Sequence, residues 1–141
     1  MGVVNDILAR PVKRSLVKSI ERSARRFPYG RGVERKDGNA ALRASHTVEW
    51  EIHRNQANFS MTKSSIVGRS ITDIAVSFDG KGDVDRLGFD QGMLVHGSEH
   101  PESIEGAHFD ESISDLNLIK IAKVAFMARR TANIVKDRFA H

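Results

Sequence analysis

Two stretches hold residues whose types and spacing match known chemistry. His96-Gly97-Ser98-Glu99-His100 fits H-x-x-E-H. On a helix, that pattern sets two imidazoles one turn apart on zinc while the glutamate activates water. The local residues oppose a helix: Gly97 and Ser98 are weak helix formers, and Pro101 pushes His100 out of helical angles. We therefore expect no catalytic zinc site. His96, His100 and His108 are left as candidates for an incidental metal site, and a solvated loop is the preferred reading. Asp79-Gly80-Lys81-Gly82-Asp83-Val84-Asp85 approaches a calcium loop, but Lys81 stands at a ligand position and Val84 where the sharp-turn glycine belongs. It reads as a hairpin turn. The Gly80-x-Gly82 pair lacks the third glycine and the βαβ context of a dinucleotide loop. Nothing resembles a nucleophile elbow, and with no cysteine in the chain, thiol catalysis, disulfides and zinc-thiolate sites are excluded. The expectation is a protein without catalytic residues, metal or cofactor.

Any site would be positioned by a scaffold built around 38–55. Val48, Trp50 and Ile52 alternate with Thr47, Glu49, Glu51 and His53, the mark of a strand buried on one face. Ala57, Phe59 and Met61 repeat the alternation after a short polar break, which predicts an antiparallel hairpin. Trp50, the single tryptophan, belongs at the centre of the core. Ile74, Val76 and Phe78 predict a third strand closed by Asp79-Gly80, and Met93–Val95 a short fourth. A basic amphipathic helix is predicted over 9–27, with Val12, Leu16, Ile20 and Ala24 on its apolar stripe. A second is predicted over 112–138, carried by Leu118, Ile121, Ala125, Ala128, Ala132 and Val135 and capped by Asp110, Ser112 or Ser114. Pro28, Gly30 and Gly32 end the first helix, the polar run 31–39 reads as a connection to the hairpin, and 96–110 reads as a long acidic loop. The expected fold is one α+β domain. An antiparallel sheet of three to four strands within 46–95 has its apolar face covered by an N-terminal and a C-terminal helix.

Length and composition fit that picture. A chain of 141 residues, 40% hydrophobic and 28% charged, suits one domain with a real core. No apolar run approaches the roughly 20 residues that span a bilayer, and the N-terminal residues do not read as a secretory signal. The net charge of +4 is unevenly spread. Residues 1–43 hold eleven Lys and Arg against four Asp and Glu, a balance of +7; residues 44–112 hold five against twelve, or −7; residues 113–141 hold six against two, or +4. Basic ends around an acidic middle suit nucleic-acid contact, or a subunit whose basic face meets a neighbour's acidic one. No helix-turn-helix or zinc-finger spacing is present, and exposed aromatics for base stacking are scarce, so any nucleic-acid contact would be non-specific.

A basic N-terminal helix, a Gly-bearing polar linker and then Gly38-Asn39-Ala40-Ala41-Leu42-Arg43-Ala44-Ser45 resembles the tail-completion and neck (head–tail connector) proteins of tailed bacteriophages. In that family a T-G-x-L-R-x-S string leads from the helix into the first strand. Gly38, Leu42, Arg43 and Ser45 stand near the corresponding places, without the threonine and with one residue more in the spacing. The resemblance implies a structural virion protein: a subunit of a homo-oligomeric ring, commonly sixfold, at the head–tail junction. It would be assembled in the host cytoplasm, touch portal, adaptor or tail-tube proteins, and surround DNA in the lumen. For such a ring, Arg22, Arg25 and Arg26 are the expected basic contacts and Asp83, Asp85 and Glu99 the acidic ones. Met93 and Leu94 would supply apolar burial. The alternative is a non-specific nucleic-acid-binding protein using the two basic helices.

Overall fold

The computed structural model describes residues 3–95 and 102–139. A helix, α1 (Val3–Ala24), leads into six strands: β1 (Gly30–Asp37), β2 (Ser45–Ile52), β3 (Gln56–Ser64), β4 (Gly68–Phe78), β5 (Val84–Val95) and β6 (Glu102–Ser112). A second helix, α2 (Leu118–Phe139), closes the chain. The strands form one antiparallel sheet in sequence order, β1 to β6, each paired with the next. This is a meander, the topology that short turns impose on consecutive strands.

The expected α+β arrangement of an antiparallel sheet and two terminal helices is present, but a sheet of three to four strands is too small. The extra strands are those that carry little apolar alternation. Over 30–37 the sequence GRGVERKD holds one large apolar residue, yet its backbone pairs with β2 from Gly30↔Ile52 to Asp37↔Ser45. The long loop expected over 96–110 is strand from Glu102 onward, paired with β5. The short strand expected at 93–95 is the end of a longer one, β5, over Val84–Val95. Its buried residues Val84, Leu87 and Phe89 break period two because Asp85 is an extra residue, a bulge where Ser77↔Arg86 gives way to Phe78↔Val84.

The helix bounds shift as well. α1 begins at Val3, so Pro11 lies inside it rather than in its first turn, and one helical hydrogen bond is forgone there. α2 begins at Leu118 because Asn117 is the cap: its Oδ1 accepts from Lys120 N at 2.9 Å. In the turn before it, Ser112 Oγ bonds both Ser114 Oγ and Asp115 Oδ2.

One face of the sheet is buried. Val48, Trp50 and Ile52 stand opposite Met61, Phe59 and Ala57, and the row continues through Ile74 and Val76 to Leu87 and Phe89. All are under 10% exposed. Ile20 and Ala24 of α1, Phe27 beyond it, and Ile121, Val124, Ala125, Ala128 and Val135 of α2 join this core, with Leu16 and Phe78 half-buried at its edge. Phe27 stacks on Phe59 at 4.7 Å between ring centroids and tilts against Trp50 at 5.9 Å. The helices thus occupy one side of the sheet and leave the other uncovered.

Candidate interaction surfaces

The uncovered face is set by the alternate residues of the same strands. Across its middle runs the register row Val33, Glu49, Ser60, Asp73, Asp90 and His108. Beside it runs a second row, Arg31, Glu51, Asn58, Ala75, Gly88 and Asp110. Together they line an open groove of about 900 Å³. Small residues at Ala75 and Gly88 deepen its middle; a Cβ at Gly88 would sit 3.2 Å from that of Ala75. Five carboxylates converge on this groove: Glu49, Glu51, Asp73, Asp90 and Asp110.

Two of the five are held by arginines on the same face. Arg86 Nε donates to Asp110 Oδ1 at 2.7 Å, and Arg31 Nη2 to Glu51 Oε1 at 3.2 Å. His53 Nε2 lies 2.9 Å from the same Glu51 oxygen. The His53 and then the Arg31 hydrogen bonds hold the Glu51 carboxyl below its ordinary range. His108 Nδ1 is 3.7 Å from Asp90. Asp73 and Asp90 sit directly opposite each other on β4 and β5, a like-charge pair that repels. Glu49 and Asp73 engage no cation among the described residues.

The opposite, helical side is basic. A hollow of about 390 Å³ between α1 and α2 is lined by Arg22, Arg26, Arg129 and Lys136, with Ser19 and Asn133 among them. Arg26 Nη1 donates to Asn133 Oδ1 at 3.1 Å, and Arg129 Nη2 to Ser19 Oγ at 3.1 Å. Arg25 turns elsewhere: it donates to Gly82 O at 3.2 Å and pairs with Glu21 at 3.1 Å. Of the three expected basic contacts, Arg22 and Arg26 therefore share the hollow, while Arg25 is engaged with its own chain. A third hollow of about 250 Å³, at the far end of β4 and β5, is lined by His46, Lys63, Arg69, Met93 and Leu94. Burial first, then Lys63, Arg130 and Lys36, push the His46 imidazole down; burial and Arg130 do the same to Lys63.

The expected acidic contacts lie apart from the groove. Asp83 and Asp85 are exposed where the β4–β5 turn enters β5, beside Arg25 rather than on the open face. Within that turn, Asp79 Oδ1 accepts from Lys81 N at 2.8 Å and Asp83 N at 3.0 Å, so its carboxylate is a backbone cap. Glu99, His96 and His100, and with them the H-x-x-E-H string, lie outside the described residues; His108 is exposed on the groove rim. Among the described residues no group of three or more His, Asp and Glu is placed to hold a metal ion. No described helix is long and apolar enough to cross a membrane.

The groove was missed in the sequence because its carboxylates are scattered over 49–110. The signal that would have found it is the polar half of each alternating strand, read together once the strands are in order.

The string from Gly38 to Ser45 forms the β1–β2 turn and enters the second strand. Asn39 Oδ1 accepts from Ala41 N and Leu42 N, and Arg43 takes a left-handed φ of 52°. No protein-family model, curated protein or solved structure matches this chain.

Proposed function

We propose that the chain is a structural subunit that associates head to tail into a closed ring, as a neck or tail-completion subunit at the head–tail junction of a tailed bacteriophage. The observation that carries the assembly part is the separation of charge onto opposite sides of the fold. Carboxylates line the open sheet face, and arginines and lysines cover the helical layer. Two unlike surfaces on one subunit make a heterologous contact, which closes into a ring when the rotation between neighbours permits. Opposed potentials orient such a contact and speed its formation. The phage assignment is supported by Gly38, Leu42, Arg43 and Ser45 and by the order of helix, sheet and helix. In this reading the partners are further copies and the adjoining portal, adaptor or tail-tube proteins, and the site of action is the virion.

The test is the mass of the purified protein by light scattering beside negative-stain images. A ring of defined copy number is expected. A monomer at every concentration and ionic strength would overturn the reading. The cationic hollow between the helices favours one second reading, a non-specific nucleic-acid contact, since clustered cations bind phosphates without reading bases. Salt-sensitive retention of duplex DNA by a protein that stays monomeric would favour it.

A further inference from the structure

The stretch of α1 from Arg10 to Lys18 touches the core only through Leu16 and Val17, both half-buried. From Arg10 to Lys18 no residue is buried, whereas Ser19, Ile20, Glu21, Ser23 and Ala24 all are. Val12 remains 48% exposed. A helical segment this short is marginal in water without a packed face. It carries four cations, Arg10, Lys13, Arg14 and Lys18, and of these only Lys18 meets a carboxylate among the described residues, Glu21 at 3.7 Å. At 100° per residue the four fall within one broad arc of the helix. Nine residues at about 1.5 Å rise make a cationic patch about 12 Å long.

The open sheet face has the complementary dimensions. Glu49 on β2, Asp73 on β4 and Asp90 on β5 lie in one register row spanning three strand spacings, about 14 Å at 4.7–4.9 Å each. Val33 at 62% and Ile71 at 38% exposure give this face apolar ground. The same chain's α1 packs with α2 on the opposite, covered side of the sheet.

We propose that the sheet groove is the receptor for the Arg10–Lys18 stretch of α1 from a second copy of this chain. Arg10, Lys13, Arg14 and Lys18 of one copy then meet Glu49, Asp73 and Asp90 of the next. This inference rests on the head-to-tail reading and names its contact. It places the donors earlier in α1 than Arg22–Arg26, and the acceptors on the open face rather than at Asp83 and Asp85. The incoming cations would neutralise the repelling Asp73–Asp90 pair and would order the exposed helix on the same surface.

Two full-length variants test it by sedimentation velocity at low salt. One has neutral acceptors (Glu49→Gln, Asp73→Asn, Asp90→Asn) and the other neutral donors (Arg10→Gln, Lys13→Gln, Arg14→Gln). Wild type should assemble and should dissociate as salt rises. Each variant alone should be monomeric with a cooperative melt. Their equimolar mixture should form one-to-one complexes and nothing larger, since only one competent pair of surfaces remains. Wild type that stops at a dimer, with the mixture still pairing, would keep this docking and remove the ring. Variants that assemble as wild type does would overturn the docking and leave the ring standing. Monomeric wild type with no pairing in the mixture would overturn both.

Discussion

Gly32→Ala tests the placement of Trp50 at the seam between β1 and the core. Gly32 stands opposite Trp50 in the register, and the indole lies over it. A methyl group there would fall 2.0 Å from Trp50 Cζ2, 2.5 Å from Cε2 and 2.6 Å from Cη2. Carbon atoms rest at about 3.5–4.0 Å, so ring and strand must part by about 1.5 Å. Phe27 lies against the ring at 5.9 Å and is itself stacked on Phe59, which limits retreat into the core. The other side is an edge strand held by one ladder and largely exposed, so β1 should yield. Overpacking of this size costs about 1–3 kcal/mol, and we expect a value in that range from urea unfolding, with added amide exchange along β1. In a Trp50→Phe background, where the smaller ring leaves room, the cost should fall. A Gly32→Ala protein within about 0.3 kcal/mol of wild type would refute the reasoning, as would an equal cost in both backgrounds.

Four further outcomes follow from the same geometry. Trp50→Ala should lose about 3–5 kcal/mol, enough to unfold a marginal domain, and an unshifted cooperative melt would contradict its place in the core. Gly68→Ala puts a Cβ 2.4 Å from Leu94 O and 3.1 Å from Val95 Cα; the contact is with backbone, so β4 and β5 must separate there, with a loss of about 1–3 kcal/mol and faster exchange of their end amides. His46 has its folded pKa below the unfolded value near 6.5, so its neutral form is favoured in the fold; stability is present above that pH and lost as pH falls through it. In His46→Gln that part of the acid-side decline should vanish from chemical-denaturation curves. Arg86→Ala removes an exposed pair with Asp110 and should cost under about 1 kcal/mol in the same assay.

The sequence revealed this fold wherever burial leaves a periodic trace. Val48, Trp50, Ile52, Ala57, Phe59 and Met61 alternate without a break, and the β2–β3 hairpin they predict is the one observed. β1 left no such trace, because its place opposite Trp50 is taken by a glycine that makes room for the indole, and because an edge strand exposes most of its side chains. β5 was obscured by the bulge at Asp85, which moves Leu87 out of phase with Val84. β6 is held through backbone pairing with β5, and Phe109 against Phe89 is its visible anchor at 5.5 Å. The charge blocks along the chain were legible, but their geometry was not. A −7 stretch does not say which of its carboxylates point away from the helices, and the row Glu49, Asp73, Asp90 exists only once β2 to β5 are in register.

The meander explains why this charge separation comes with a cost. Both helices lie on one side, so every second residue of the sheet faces open solvent with no covering layer to dictate its type. Polar residues suffice there for solubility, and alternating signs across strands would add cross-strand attraction. The chain does this at Arg31–Glu51 and Arg86–Asp110 but sets Asp73 against Asp90 at the centre. An uncovered central pair of like charges weakens the isolated sheet by a few tenths of a kcal/mol to about 1 kcal/mol. Replacing either aspartate by serine would remove that cost without touching the core. A surface cation from a neighbour removes it as well, and only when the neighbour is bound. In the proposed assembly the Asp73–Asp90 repulsion would become part of the free-energy difference between the free and the assembled subunit, and would place the bias toward assembly on the sheet face itself.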